Sequence, residues 1–191
     1  IKYSIIIPSY NEYENLKLLI PELLEVLKDS MHLYEVLIID RMSKDEETFS
    51  LTQSYKIRYI QRVGGDRYGD AVRSGISAAI GRTIIFMDGD GSHNPEEILE
   101  LSKYSDSYDL VVSSRYLTSS TSENTYLKEL GSIFLNKICS VLFKVQCSDF
   151  SNSFKAYNGD LLKKVVLHSK DIDIIEEMIY KLIAIKDDVR I

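Results

Sequence analysis

"FMDGDGSHNP", residues 86–95, sets two carboxylates, Asp88 and Asp90, two positions apart directly behind an apolar run. The run, "RTIIFMD" over 82–88, reads as a buried strand, so the acids stand at its carboxyl end and the chain turns there. Outward from it the same grammar repeats. "KYSIIIPSYNE" (2–12) is a strand that stops at Pro8, followed by a helix over "NLKLLIPELLEVLKD" (15–29) with leucines at helical spacing, capped by Asn11 or its neighbours. "YEVLIID" (34–40) and "KIRYIQR" (56–62) are further strands. "DAVRSGISAAI" (70–80) is a helix with small residues for close packing. "NPEEILELSKY" (94–104) is a helix with Pro95 suited to its first turn, and "YDLVVSSR" (108–115) is a fifth strand. Strands alternating with helices predict an α/β fold, a mostly parallel sheet covered on both faces. Such sheets bind ligands beyond the carboxyl ends of their strands. Tyr10, Asp40, Asp88, Asp90 and Arg115 all fall at those ends.

The whole chain bounds the answer. Its 191 residues fit one domain with a sizeable core, and 45% hydrophobic with 27% charged residues is ordinary for a globular protein. A net charge of −6, with no basic stripe, argues against a nucleic-acid partner. Two cysteines, Cys139 and Cys147, make no disulfide framework and predict a reducing, cytoplasmic setting. No apolar run approaches the ~20 residues of a membrane span. The chain opens on isoleucine and closes on "DDVRI", which reads as a strand cut short, so a piece of a longer protein is expected. Residues 117–127 are polar and read as a mobile loop. A helix over 127–145 reads as a core or dimer helix, with peripheral contact to a membrane surface as the alternative.

Three chemistries place acids as at 88 and 90. A calcium loop of the EF-hand type needs glycine at position six and glutamate at twelve; counted from Asp88 these are His93 and Leu99, and the reading fails. An aspartyl-phosphatase nucleophile has a similar short pattern, but its aspartates close the first strand of a sheet, whereas three strands precede these. The third is a clamp for a metal-bound diphosphate. Carboxylates are hard ligands for Mg²⁺ or Mn²⁺, which keep waters and bind substrate phosphates as well. A glycine between the acids, Gly89, would let a diphosphate approach the backbone. His93 is expected to support this loop rather than to abstract a proton.

"IIIPSYNEYENL", "YGDAVRSGISAAIG", "IIFMDGDGSHNPEEI", "VVSSRYL" and "SDFSNSFKAYNGDLL", in this order, resemble the family 2 glycosyltransferases of the GT-A fold, nearest to the dolichyl- or polyprenyl-phosphate mannose and glucose synthases. The resemblance runs from Ile1 to about Tyr180 and implies one Rossmann-like domain. Its nucleotide-sugar-binding half would be 1–116, and its acceptor-side half 117–191, truncated at the C-terminus. It implies a metal-dependent, inverting transfer from a UDP- or GDP-sugar to a polyprenyl phosphate. Transfer to a sugar hydroxyl of a cell-surface polysaccharide, and a non-catalytic nucleotide-binding domain, are the rival readings. An enzyme acting on a lipid phosphate is expected at the cytoplasmic face of a membrane.

Residue by residue, the resemblance gives the nucleotide-sugar to Pro8, Tyr10, Glu12, Ile39, Asp40, Arg41, Gly89 and Arg115, and the metal to Asp88, Asp90 and Ser92. It gives catalysis to Asp88, Asp90, Arg115 and Asp149, and the acceptor phosphate to Lys128, Ser132 and Lys155. Glu177 matches a glutamate read as structural. One departure is marked: Arg41 stands where the family carries a second acid. A phosphate acceptor is already ionised near neutral pH and needs no general base; a hydroxyl acceptor does, and Asp149 is the candidate.

Overall fold

The computed structural model describes residues 1–30, 33–42, 44–113 and 149–191. The expected loop over 117–127 and helix over 127–145, together with Arg115, Lys128 and Ser132, lie outside the described residues. Six described strands form one sheet: β1 (Tyr3–Pro8), β2 (Tyr34–Asp40), β3 (Arg58–Gln61), β4 (Thr83–Phe86), β5 (Leu110–Val112) and β6 (Lys155–Asn158), in the order β3-β2-β1-β4-β6-β5. The ladders β1–β2, β1–β4 and β2–β3 are parallel, whereas β6 runs antiparallel to both β4 and β5. Five of these strands therefore share one direction and only β6 opposes them.

Two layers of helix bury the two faces, and the alternation of strand side chains assigns them. Ile5 and Ile7 of β1 join Val36, Ile38, Ile85 and Ala156 on one face. Against them pack Leu16, Leu19, Ile20, Leu23 and Leu27 of α1 (Tyr13–Ser30), with Ile98 and Leu101 of α4 (Glu97–Tyr104). Ile6, Leu37, Ile39, Ile84, Phe86 and Tyr157 face the other way. They meet Ala71, Val72 and Ile76 of α3 (Tyr68–Ala78), Leu162 of α5 (Gly159–Leu162) and Ile174, Ile175, Met178 and Ile179 of α6 (Ile174–Ile185). No helix of the described residues is long and apolar enough to cross a membrane.

Three elements depart from the sequence reading. Helix α2 (Glu46–Ser54) was not foreseen, because Thr48 and Thr52 are its buried residues and no apolar stripe marks it; Asp45 caps it through Glu47 N and Thr48 N. Strand β6 was also missed, since its buried middle is reached from Lys155. Residues 186–191 form no strand, although Arg190 O accepts from Asp109 N and Leu110 N ahead of β5.

Glu177 is structural. Its carboxylate accepts from the amides of His168 and Ser169 at 2.8–3.0 Å and pairs with Lys181 at 2.7 Å. It thus anchors the 168–171 turn, whose Lys170 O accepts from Gly69 N at the start of α3. Burial pushes this carboxyl up, but Lys181 and the two amides outweigh it and hold it down at about 2. A depressed folded-state value contributes stability above the ordinary glutamate range, lost as pH falls from about 4.5 toward 2. Glu177→Gln is expected to cost up to about 3 kcal/mol at pH 7 and to flatten stability against pH across that window. Denaturant unfolding at stepped pH measures it; parallel pH curves for the two proteins would contradict the assignment.

Candidate active site

The carboxyl ends of β1 and β4, with the loop after β3, enclose a cleft of about 240 Å³ lined by Pro8, Ser9, Tyr10, Glu12, Arg62, Asp66, Tyr68, Asp88, Gly89 and Asp90. Five sequence-expected nucleotide contacts or metal ligands meet there besides Gly89: Pro8, Tyr10 and Glu12 from β1 and its loop, Asp88 and Asp90 from the turn after β4. Tyr10 is half exposed, its ring open to the cleft. Glu12 accepts from Asn15 Nδ2 at 2.5 Å.

Asp88 is held from several sides. Tyr68 Oη donates to Oδ1 at 3.3 Å, Ser153 Oγ donates to Oδ2 at 2.5 Å, and the Asp88 amide donates to His93 Nδ1 at 3.0 Å. An accepting Nδ1 puts the proton of a neutral imidazole on Nε2, and the ring stacks on Phe154 at 4.7 Å. His93 therefore supports the loop. Burial, followed by the charge and hydrogen bond of Asp88, keeps the Tyr68 hydroxyl well above the ordinary phenol range, so it stays a donor. Asp90 accepts from Ser92 N at 2.9 Å, and the Ser92 hydroxyl leads in holding its carboxyl below the usual range, against burial. The turn closes on Gly91 at φ 80°, a left-handed conformation that favours glycine. Gly89 has a different reason: a Cβ there would meet Ile7 Cγ2 at 3.2 Å, Pro8 O at 3.3 Å and Leu16 Cδ2 at 3.4 Å. Its missing side chain faces β1 and α1, a packing reason for glycine, while the residue itself lines the cleft.

Among the described residues no group of three or more His, Cys, Asp or Glu forms a metal site by itself. Two carboxylates and the Ser92 hydroxyl are hard oxygen donors too few to enclose an ion. That donor set fits Mg²⁺ or Mn²⁺, which bind through one or two carboxylates plus substrate phosphates.

Several expected residues are not brought to the cleft. Ile39 and Asp40 are fully buried. Asp40 Oδ2 accepts from Tyr59 Oη at 2.9 Å, Oδ1 has no hydrogen-bond partner among the described residues, and burial raises its pKa. Arg41 points to the neighbouring loops, donating to Asn11 Oδ1 at 2.8 Å and pairing with Asp45 at 3.7 Å. Asp149 and Lys155 have no exposed surface. Asp149 Oδ1 accepts from Asn152 N at 3.2 Å, and Lys155 Nζ donates to Phe150 O at 3.1 Å.

Arg62, Asp66, Tyr68 and Ser153 escaped the sequence reading. Arg62 is 4% exposed and directs its donors at five carbonyls. Nε reaches Asp40 O at 3.0 Å, Nη1 reaches Asp66 O and Arg67 O at 2.9 and 3.3 Å, and Nη2 reaches Ser9 O and, at 3.4 Å, Ile39 O. Its position at the carboxyl end of "KIRYIQR" was the available signal.

The description "Glycosyl transferase family 2" belongs to the family model that matches residues 4–166. The chain belongs to glycosyltransferase family 2. Among curated relatives, a dolichol-phosphate mannosyltransferase of Pyrococcus furiosus is 30% identical over 94% of this chain and 53% of its own length. A polyprenol monophosphomannose synthase of Mycolicibacterium smegmatis is 28% identical over 87% of this chain and 65% of its own. The chain spans about half to two thirds of the length of these two relatives. Glucosyl-3-phosphoglycerate synthase from Mycobacterium tuberculosis, solved with Mn²⁺, UDP-glucose and phosphoglyceric acid, superposes with a TM-score of 0.72 at 15% identity, covering 96% of this chain and 65% of that one. The fold is GT-A, as the resemblance implied.

Removing Arg62 takes the guanidinium from Ser9 O and Asp66 O, while Ile39 O, Asp40 O and Arg67 O keep main-chain N–H donors. Arg62→Met is expected to lower the unfolding free energy by about 2–3 kcal/mol, the order of buried acceptors that lose a charged donor, read from denaturant midpoints. A loss under about 1 kcal/mol would show that water replaces the guanidinium without cost.

Proposed function

We propose that this chain is the catalytic part of a metal-dependent glycosyltransferase that moves a sugar from a nucleoside-diphosphate donor to a polyprenyl phosphate. The observation that carries the reading is the convergence of Asp88 and Asp90 with Tyr10 and Glu12 on one cleft at the carboxyl ends of β4 and β1. The names of the mannosyltransferase and synthase relatives support the acceptor class, and the Mn²⁺ and UDP-glucose of the structural neighbour support the donor and metal classes.

In this reading Tyr10 offers its ring to the base and Glu12 accepts from ribose hydroxyls. Asp88, Asp90 and Ser92 would hold Mg²⁺ or Mn²⁺, which when bound offsets the charge developing on the leaving diphosphate. Arg62 contributes positive potential beneath the cleft while its N–H groups remain with the backbone. Asp149 bears on the acceptor. A general base must come within hydrogen-bond reach of the proton it takes, and the Asp149 carboxylate has no exposed surface. That favours an acceptor already ionised, a phosphate, and with it work at the cytoplasmic face of a membrane.

The test is a panel of UDP- and GDP-sugars screened for Mn²⁺-dependent thermal stabilisation, followed by transfer to a short-chain polyprenyl phosphate. Asp88→Ala and Asp90→Ala are expected to abolish Mn²⁺-dependent stabilisation and transfer while the metal-free protein still melts cooperatively. Asp149→Asn is expected to fall well short of the about 10²–10⁴-fold loss that removal of a base produces. Near wild-type turnover in either acid variant, or collapse on a sugar-hydroxyl acceptor in Asp149→Asn, would overturn the proposal.

A further inference from the structure

We infer that Tyr68 and Ser153 are positioning residues that clamp Asp88 and so set the strength of divalent-cation binding at the cleft; this rests on the metal-dependent reading above. Asp88 lies just past the end of β4, where the ladder no longer orients it, and a free aspartate samples several rotamers. Here each of its oxygens is taken by a hydroxyl from a different part of the chain. Tyr68, the first residue of α3, holds Oδ1, and Ser153, two residues before β6, holds Oδ2. The bond from Ser153, at 2.5 Å, is at the short end for a hydroxyl donating to a carboxylate, the charge-assisted class. Below them His93 fixes the Asp88 backbone amide and stacks on Phe154, the residue after Ser153. The antiparallel strand inserted between β4 and β5 thereby reaches across to the first acid of the pair.

Neither hydroxyl is required to fill space, because phenylalanine and alanine keep the ring and the Cβ. What the hydroxyls supply is direction. A carboxylate oxygen that accepts one hydroxyl retains a lone pair for a cation, and one held in a single rotamer pays no ordering cost when the cation arrives. Outer groups that orient a metal-binding side chain are worth about 10–100-fold in affinity in other sites.

The experiment titrates Mn²⁺ calorimetrically into the chain saturated with UDP or GDP, for wild type, Tyr68→Phe, Ser153→Ala, Ser153→Thr and the double variant Tyr68→Phe/Ser153→Ala. Each hydroxyl deletion is expected to weaken Mn²⁺ binding by about tenfold or more, and the double variant further. Ser153→Thr, which keeps a hydroxyl, is expected to return most of the affinity. The metal-free variants are expected to keep a cooperative melt, and rescue of Mn²⁺ affinity by Ser153→Thr is a result that a merely space-filling role would not predict. Mn²⁺ affinity within about twofold of wild type in both single variants overturns the clamp. So does a loss confined to variants whose metal-free fold is also weakened. Should Ser153→Ala fail to fold, Tyr68→Phe decides alone. A wild-type chain that binds Mn²⁺ with neither nucleotide overturns the metal-dependent reading itself, and the clamp with it.

Discussion

Arg62 sits nearly buried where β1, β2 and the loop after β3 converge, and its five donors are directed at five main-chain carbonyls. Ser9, Ile39 and Asp40 lie at or just beyond the ends of β1 and β2, and Asp66 and Arg67 belong to the loop that leads into α3. Ile39 O, Asp40 O and Arg67 O also accept main-chain N–H groups, and a buried acceptor without a donor is costly. Desolvating a guanidinium costs several kcal/mol, and only a full set of charge-assisted bonds offsets it. The arrangement does both at once, which is why arginine rather than lysine suits the position. It also shapes the cleft. With its N–H groups held by the backbone, Arg62 sets its Cζ over the Tyr10 ring, 5.7 Å from the centroid, and contributes a positive potential from below.

The loops above that floor are tied to one another. Met42 N donates to Asp66 Oδ1 at 2.6 Å, joining the loop after β2 to the loop after β3. Arg41 bridges Asp45, the cap of α2, and Asn11, which sits at φ 59° between the cleft residues Tyr10 and Glu12. A left-handed asparagine is tolerated because its short amide bonds locally, and here the partner is a guanidinium from the neighbouring strand end. Arg41 therefore has a structural task whatever a nucleotide asks of it. The unforeseen α2 supplies the cap that completes this link.

Strands β1, β2 and β4 and helices α1 and α3 were legible because their burial is apolar and periodic. Strand β6 was not, because Lys155 is buried there through a hydrogen bond to Phe150 O, a pairing that depends on a backbone turn and leaves no hydrophobic signature. The acids at 88 and 90 were legible from their place after an apolar run. Asp40 shows the limit of that rule, and Asp149, which only the resemblance assigned, is enclosed as well. Position at a strand end brings an acid near the cleft, but packing of the neighbouring loops decides whether its oxygens see solvent. Arg62 satisfied the strand-end rule and was still missed, since its partners are carbonyls, and carbonyls have no letter in a sequence. Tyr68 and Ser153, 85 positions apart in sequence, meet only through the topology that sets α3 and β6 beside β4.

The charges lining the cleft carry a consequence for the proposed donor. Among the described residues, four carboxylates, Glu12, Asp66, Asp88 and Asp90, line it with the guanidinium of Arg62. A diphosphate entering alone would meet like charge in a partly desolvated site, where repulsion is less screened than in water. Under the proposed reading a divalent cation reverses the sign of that encounter. Asp88 and Asp90 would hold it and phosphate oxygens would complete its shell, so neither the ion nor the diphosphate would have a full set of partners without the other. Linkage then requires that each raise the other's affinity by the same factor. In this geometry cation and donor would load as one ligand, because the acids are too few to retain the ion and too many to accept the diphosphate.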